Sequence, residues 1–205
     1  MKRVAAALLL TILLAGCSGG PADSRVKPTF GGASASVPRA DELAKAKAAA
    51  GIEDCPATTS TEATVKGMPA LTLDCLGGGI PVRLAGLDGK PTVINLWASW
   101  CGPCREELPL LAKVHRELGD RVQILGIDFA DDAADVALDL AAKSGVTYPL
   151  LADPTSSLKS SLEVVGLPQT VFMDEQGTIV ATERRAYRSY DDLTAAISQH
   201  LGVKP

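Results

Sequence analysis

Aromatic side chains are scarce in this chain of 205 residues, at 4% of the total, and only two histidines occur, His115 and His200. A core drawn from this composition is aliphatic, built mainly from Ala, Leu and Val. Two isolated histidines, neither in ligand spacing near a second cysteine motif, do not complete a zinc site, which needs four donors. A basic block is missing too. The net charge is −4, so nothing favours nucleic acid as a partner. No internal repeat is visible, and no cofactor is implied. The one apolar run of note, residues 4–14, is too short to cross a bilayer comfortably.

That run is instead the length of a signal-peptide core, and Lys2-Arg3 supply the positive region ahead of it. Leu14-Ala15-Gly16-Cys17 resembles the bacterial lipobox. The resemblance implies cleavage before Cys17 and lipidation of Cys17. More than one acyl chain at about 0.8 kcal/mol per buried CH₂ gives a stable anchor. The expected location is the extracytoplasmic face of the bacterial cell membrane. Residues 18–38, rich in Gly, Ser, Pro and Ala, read as a flexible tether. Residues 41–51 have helix-favouring composition but few large apolar side chains, so they read as a marginal helix or more tether.

Cysteine arithmetic follows. Of the five cysteines, Cys17 is assigned to lipid and Cys101 and Cys104 pair locally. Cys55 and Cys75 remain, in a compartment where disulfides persist. A structural bridge between them is expected, closing a loop of roughly 20 residues for about 3 kcal/mol. Two free thiols, or exchange of one of them with the Cys101–Cys104 pair, are the rival readings.

Further along, alternating apolar positions (Leu71, Leu73; Ile80, Val82, Leu84) around Gly77-Gly78-Gly79 read as a β-hairpin. Residues 92–97 and 121–129 read as buried strands, followed by helices over 102–118 and 132–144. Residues 150–152 are extended, with a turn at Asp153-Pro154 and a short helix to Leu162. A hairpin around Glu175-Gln176-Gly177 and an amphipathic helix over 190–201 close the chain. The long apolar strands suit a central parallel pair covered by helices on both faces.

The chemistry is concentrated in Trp97-Ala98-Ser99-Trp100-Cys101-Gly102-Pro103-Cys104, set between a strand and a helix. A helix N-terminus offers unpaired N–H groups and the positive end of the peptide dipoles. Both stabilise a thiolate and raise its reactivity. The second cysteine lies one turn on and can close a small disulfide ring.

This stretch with Arg105-Glu106-Glu107-Leu108-Pro109, joined later by Gly166-Leu167-Pro168-Gln169-Thr170-Val171-Phe172-Met173-Asp174, resembles the thioredoxin superfamily. It is most similar to the extracytoplasmic TlpA/ResA-type thiol-disulfide oxidoreductases, over about residues 70–201. The resemblance implies an α/β thioredoxin fold, a central mixed sheet flanked by helices with an N-terminal β-hairpin extension. It divides the chain into a signal peptide (1–16), a lipid-anchored tether (17–51) and a thioredoxin-like domain (52–205). Cys101 is implied as nucleophile and Cys104 as the resolving thiol of a redox disulfide. Pro168 is implied to be cis and to face that disulfide, with the Leu167 backbone available to an extended substrate. Trp100, Gly102 and Pro103 complete the substrate-facing set. Thioredoxins keep a buried Asp six residues before the first cysteine. Here Asn95 stands there, and Glu107, three residues past Cys104, is the implied proton exchanger. Gly102-Pro103 matches reducing thioredoxins and favours a reductase. The implied partners are protein disulfide or dithiol substrates, apocytochrome c among them for relatives, and a membrane thiol-disulfide electron donor or acceptor, with the chain acting as a monomer.

Two alternatives stand beside this reading. A thiol peroxidase of the same fold uses a Pro-x-x-x-Thr-x-x-Cys pattern, where this chain has Ile94 and Ala98. A non-catalytic lipoprotein binding module would hold the same cysteines as a structural pair.

Overall fold

Residues 92–97 and 121–129 lie at the centre of the sheet, as their apolar runs predict. The computed structural model describes residues 38–58 and 66–205. The expected signal peptide (1–16), Cys17 and residues 18–37 of the expected tether lie outside the described residues. The strands are β1 (Thr72–Cys75), β2 (Val82–Arg83), β3 (Thr92–Trp97), β4 (Gln123–Phe129), β5 (Leu150–Asp153), β6 (Gln169–Met173) and β7 (Ile179–Glu183). They form one sheet in the order β2-β1-β5-β4-β3-β6-β7. Pairs β3–β4 and β4–β5 are parallel, and all others are antiparallel. Every residue of β3 is buried, the signature of a strand covered on both faces. This is the expected α/β thioredoxin fold, with β1 and β2 as its N-terminal extension.

The helices are α1 (Ala40–Ala49), α2 (Gly102–Leu118), α3 (Ala134–Lys143) and α4 (Tyr190–Leu201). They do not cover both faces. Buried residues of α2, α3 and α4 join one core cluster, with Val93, Trp97, Ile124 and Phe172. The opposite cluster, with Ile94, Leu96, Leu125 and Ile127, receives no α-helical residue among those described. The reason is topological. Steps from β3 to β4 to β5 run in one direction, and right-handed crossovers then place α2 and α3 on the same face. The other face is covered by Met68, Leu84 and Leu87 and by Leu158, Leu162 and Val164.

Leu158 and Leu162 lie where a short helix is expected after Pro154, and turns take its place. Ser156 and Glu163 adopt positive φ (59° and 50°), which ends helical propagation. The Asp153 carboxylate accepts from the N–H groups of Ser157 (2.7 Å) and Leu158 (3.0 Å). The hairpin is also shorter than expected, and Ile80 stands 63% exposed.

Helix α1 is more than marginal. It docks, so the packed structure begins ahead of Ile52. Small side chains suffice because Lys47, 5% exposed, does the anchoring. Its Nζ donates to the Asp54 carboxylate (2.8 Å) and the Gly78 carbonyl (3.0 Å). Leu43 and Ala50 rest against the core. Gly77 makes this approach possible. A Cβ there would lie 2.8 Å from Lys47 Cβ, and its φ is +80°.

Candidate active site

Cys101 is the N-cap of α2, with Pro103 in the first turn. It is joined to Cys104, with the two Cα atoms 5.3 Å apart. Cys101 Sγ accepts the Cys104 N–H at 3.3 Å. This is one of the helix-end donors without an intrahelical partner. Cys101 is 5% exposed and Cys104 0%. The expected ranking holds, although in this disulfide state the leading sulfur is less open than a helix start suggests.

The loop ahead of Cys101 is pinned at three points. Ser99 N–H donates to Asp131 (2.7 Å), and the Arg105 guanidinium donates to the Ser99 carbonyl (2.6 and 2.9 Å). The Trp100 indole N–H donates to the Ala130 carbonyl (3.1 Å) while its ring stays 60% exposed. Trp97 is wholly buried, as a core residue. Gly126 gives it room, since a Cβ there would meet its Nε1 at 3.0 Å and Leu150 Cδ2 at 2.5 Å.

Beneath the pair lies Glu107, fully buried on the same face of α2 as Cys104. Residues three apart on a helix are neighbours, with Cβ atoms about 5–6 Å apart. One Glu107 oxygen accepts from the Asn95 amide (2.9 Å), the other from Tyr187 N–H (3.0 Å). Burial is the dominant effect and pushes the carboxyl up to about 7, while those two donors pull the other way. Glu106 is exposed. The polar position on β3 and the acid on α2 are thus one unit: Asn95 cannot titrate, and it orients the group that can.

The Leu167–Pro168 bond is cis. Pro103, Leu167 and Pro168 line a cleft of about 300 Å³ with Arg184, Arg185 and Arg188. Trp100 does not line it, so the residues expected to face substrate are divided between this cleft and the Ala130 side. Cys55 and Cys75 form a disulfide with a Cα separation of 5.9 Å.

Sequence reasoning missed Asp128 and Asp131. Asp128 is 1% exposed on the strand beside Trp97. Burial first, then Asp131, push it up to about 8. Only the β3–β4 register brings these acids beneath the active-site loop, so no local signal marked them.

The family model described as AhpC/TSA family matches residues 65–182. The chain is 38% identical over 117 residues to the thiol:disulfide interchange protein HelX of Rhodobacter capsulatus, covering 56% of this chain and 64% of HelX. It is also 38% identical over 125 residues to the thiol:disulfide interchange protein DsbE of Pseudomonas fluorescens, covering 60% and 68%. The chain therefore spans about two thirds of the length of these curated relatives. Among solved structures it is similar to an exposed lipoprotein thioredoxin, Etrx1, of Streptococcus pneumoniae. That likeness has 25% identity and a TM-score of 0.54, covering 63% of this chain and 98% of the other.

Proposed function

This chain belongs to the AhpC/TSA family, and from that premise we propose that it is a thiol-disulfide oxidoreductase, anchored through a lipidated Cys17 outside the cytoplasmic membrane, that reduces protein disulfides. The observation that carries the reading is the Cys101–Cys104 pair at the start of α2, with Cys101 Sγ on a backbone N–H and a buried Glu107, its carboxyl pushed up to about 7, one turn beyond Cys104.

In the reduced protein the Cys101 thiolate attacks one sulfur of a client disulfide. The other client sulfur leaves with the electron pair and takes a proton. Glu107 accepts the Cys104 proton, and Cys104 attacks Cys101 Sγ in the mixed disulfide. The client's second thiolate departs, the Cys101–Cys104 disulfide forms, and the client has gained two electrons. A membrane dithiol partner returns them. Asn95 and Tyr187 N–H hold Glu107 in place for this exchange. The cleft beside Pro103, Leu167 and Pro168 receives the client's extended segment, and its arginine rim favours acidic flanks.

The anchor reading rests on the lipobox at Leu14–Cys17 and fits the lipoprotein likeness. The reductase reading rests on Gly102-Pro103. The test is mixed-disulfide trapping with Cys104→Ala in membranes, with the redox potential of the native pair. Trapped client proteins and a potential well above about −300 mV are expected. A pair that resists reduction, with no trapped client, overturns the reading in favour of a structural pair.

A further inference from the structure

Lys47 is the only buried lysine among the described residues, and its Nζ lies 3.4 Å from Cys75 Sγ. Across the bond, Cys55 Sγ lies 3.3 Å from the Leu150 carbonyl oxygen. The two sulfurs therefore differ. An ammonium stabilises a thiolate at Cys75. A carbonyl oxygen opposes a thiolate at Cys55 but accepts a thiol proton from it. Access matches that of the active pair: Cys55 and Cys75 are 6% and 5% exposed, against 5% and 0% for Cys101 and Cys104. A cavity of about 430 Å³ reaches Lys47, Ile52 and Asp54, and another of about 320 Å³ reaches Cys75 across Gly77–Gly79.

We propose that Cys55–Cys75 is a second thiol-disulfide exchange site, opened by a dithiol reductant, with Cys75 leaving as a thiolate paired to the Lys47 ammonium. One thiolate of the reductant attacks Cys55 Sγ. The Cys55–Cys75 bond breaks and its electron pair stays on Cys75. The reductant's second thiol then closes on its first sulfur, releases Cys55 and passes it a proton. Cys55 becomes a thiol that donates to the Leu150 carbonyl. The reductant ends as a disulfide, and two electrons have entered this chain at a place separate from Cys101.

The separation is geometric. Cys75 pairs with Leu151, Leu151 with Ile127, and Ile127 with Leu96. Three strand spacings of about 4.8 Å put Cys75 roughly 14 Å across the sheet from Leu96. The two bridges also belong to opposite core clusters. The full chain thus holds up to four electrons in two independent pairs.

The experiment equilibrates the full chain in graded dithiothreitol buffers, quenches with an alkylating agent and scores each pair by mass spectrometry. Two transitions are expected without loss of native circular dichroism. Lys47→Met should shift the Cys55–Cys75 exchange constant at least tenfold toward the disulfide, about 30 mV, and leave the Cys101–Cys104 transition in place. Lys47→Arg should restore most of the shift. Asp54→Asn, on an exposed side chain, frees the ammonium and should shift the constant about two- to fivefold toward the thiols. This second variant keeps the test valid if Lys47→Met does not fold. The proposal is overturned if Cys55–Cys75 opens only when the chain unfolds, or if Asp54→Asn and any folded Lys47→Met titrate like the native protein while the active pair behaves normally.

Discussion

The two disulfides differ in how the chain builds them. Cys101 and Cys104 are three residues apart, and one helix end supplies everything they need: the geometry, the N–H on Cys101 Sγ, and Glu107 on the next turn. Cys55 and Cys75 are 20 residues apart and join an irregular segment to a strand near the sheet edge. Their electrostatic help is a full charge from a separate helix, α1. The first pair has a buried carboxyl, Glu107, one turn on and a cleft lined by Pro103, Leu167 and Pro168 beside it. At the second, the carboxylate of the Lys47 ion pair is Asp54, whose side chain is 93% exposed. On the proposed reading, repeated turnover therefore belongs to the pair with its own acid and a single opening to the pair with only a cation.

That contrast is most sharply broken by the cysteines themselves. Cys101→Ser should lower disulfide-reduction turnover at least a thousandfold, measured with a dithiol-coupled assay. The double variant Cys55→Ser/Cys75→Ser should keep turnover within about threefold. Equal losses from both would merge the two pairs into one function.

The same double variant should lose about 3 kcal/mol of stability in urea unfolding, the cost of releasing a loop of roughly 20 residues from its constraint. An unchanged midpoint would mean that the bridge braces nothing.

Glu107→Gln sharpens the proton contrast. In the native chain the resolving step should accelerate as pH rises through about 7, where Glu107 ionises, and the variant should lose that limb. Stability carries the opposite sign. The folded pKa of Glu107 is raised from 4.5 to about 7, and that of Asp128 from 3.8 to about 8. Their contributions are fully present below about pH 4 and are lost as pH rises through 7 to 8. Glu107 alone accounts for about 3 kcal/mol of that decline. The urea midpoint should fall from pH 5 to pH 8, and Glu107→Gln should flatten the curve.

The smallest effect belongs to the rim. Arg188→Glu should raise KM for an acidic client peptide several-fold and leave kcat within twofold. A neutral peptide should not notice the change.

Much of this was legible in the chain. Gly102 to Leu118 reads as a helix from its punctuation and apolar period, and α2 spans those residues. Tyr190 to Leu201 does likewise, with Ser189 capping it through Asp192 N–H. The residues after Pro154 were misread because helix propensity is local, whereas the turns there follow from Asp153 and two positive-φ positions. Helix α1 was undervalued because counting large apolar side chains overlooks a lysine that buries its stem and satisfies its charge. Asp131 was invisible because its partner, Ser99, is 32 residues away.

The sequence alone determined the redox pair, its helix, the acid one turn beyond and the strands on either side, because each depends on neighbours within a few residues. Only the tertiary structure decided which face the helices cover, which carboxyls lose water and which sulfur meets the Lys47 ammonium. Burial and charge pairing depend on segments that the chain brings together from tens of residues apart, and no short-range pattern records them.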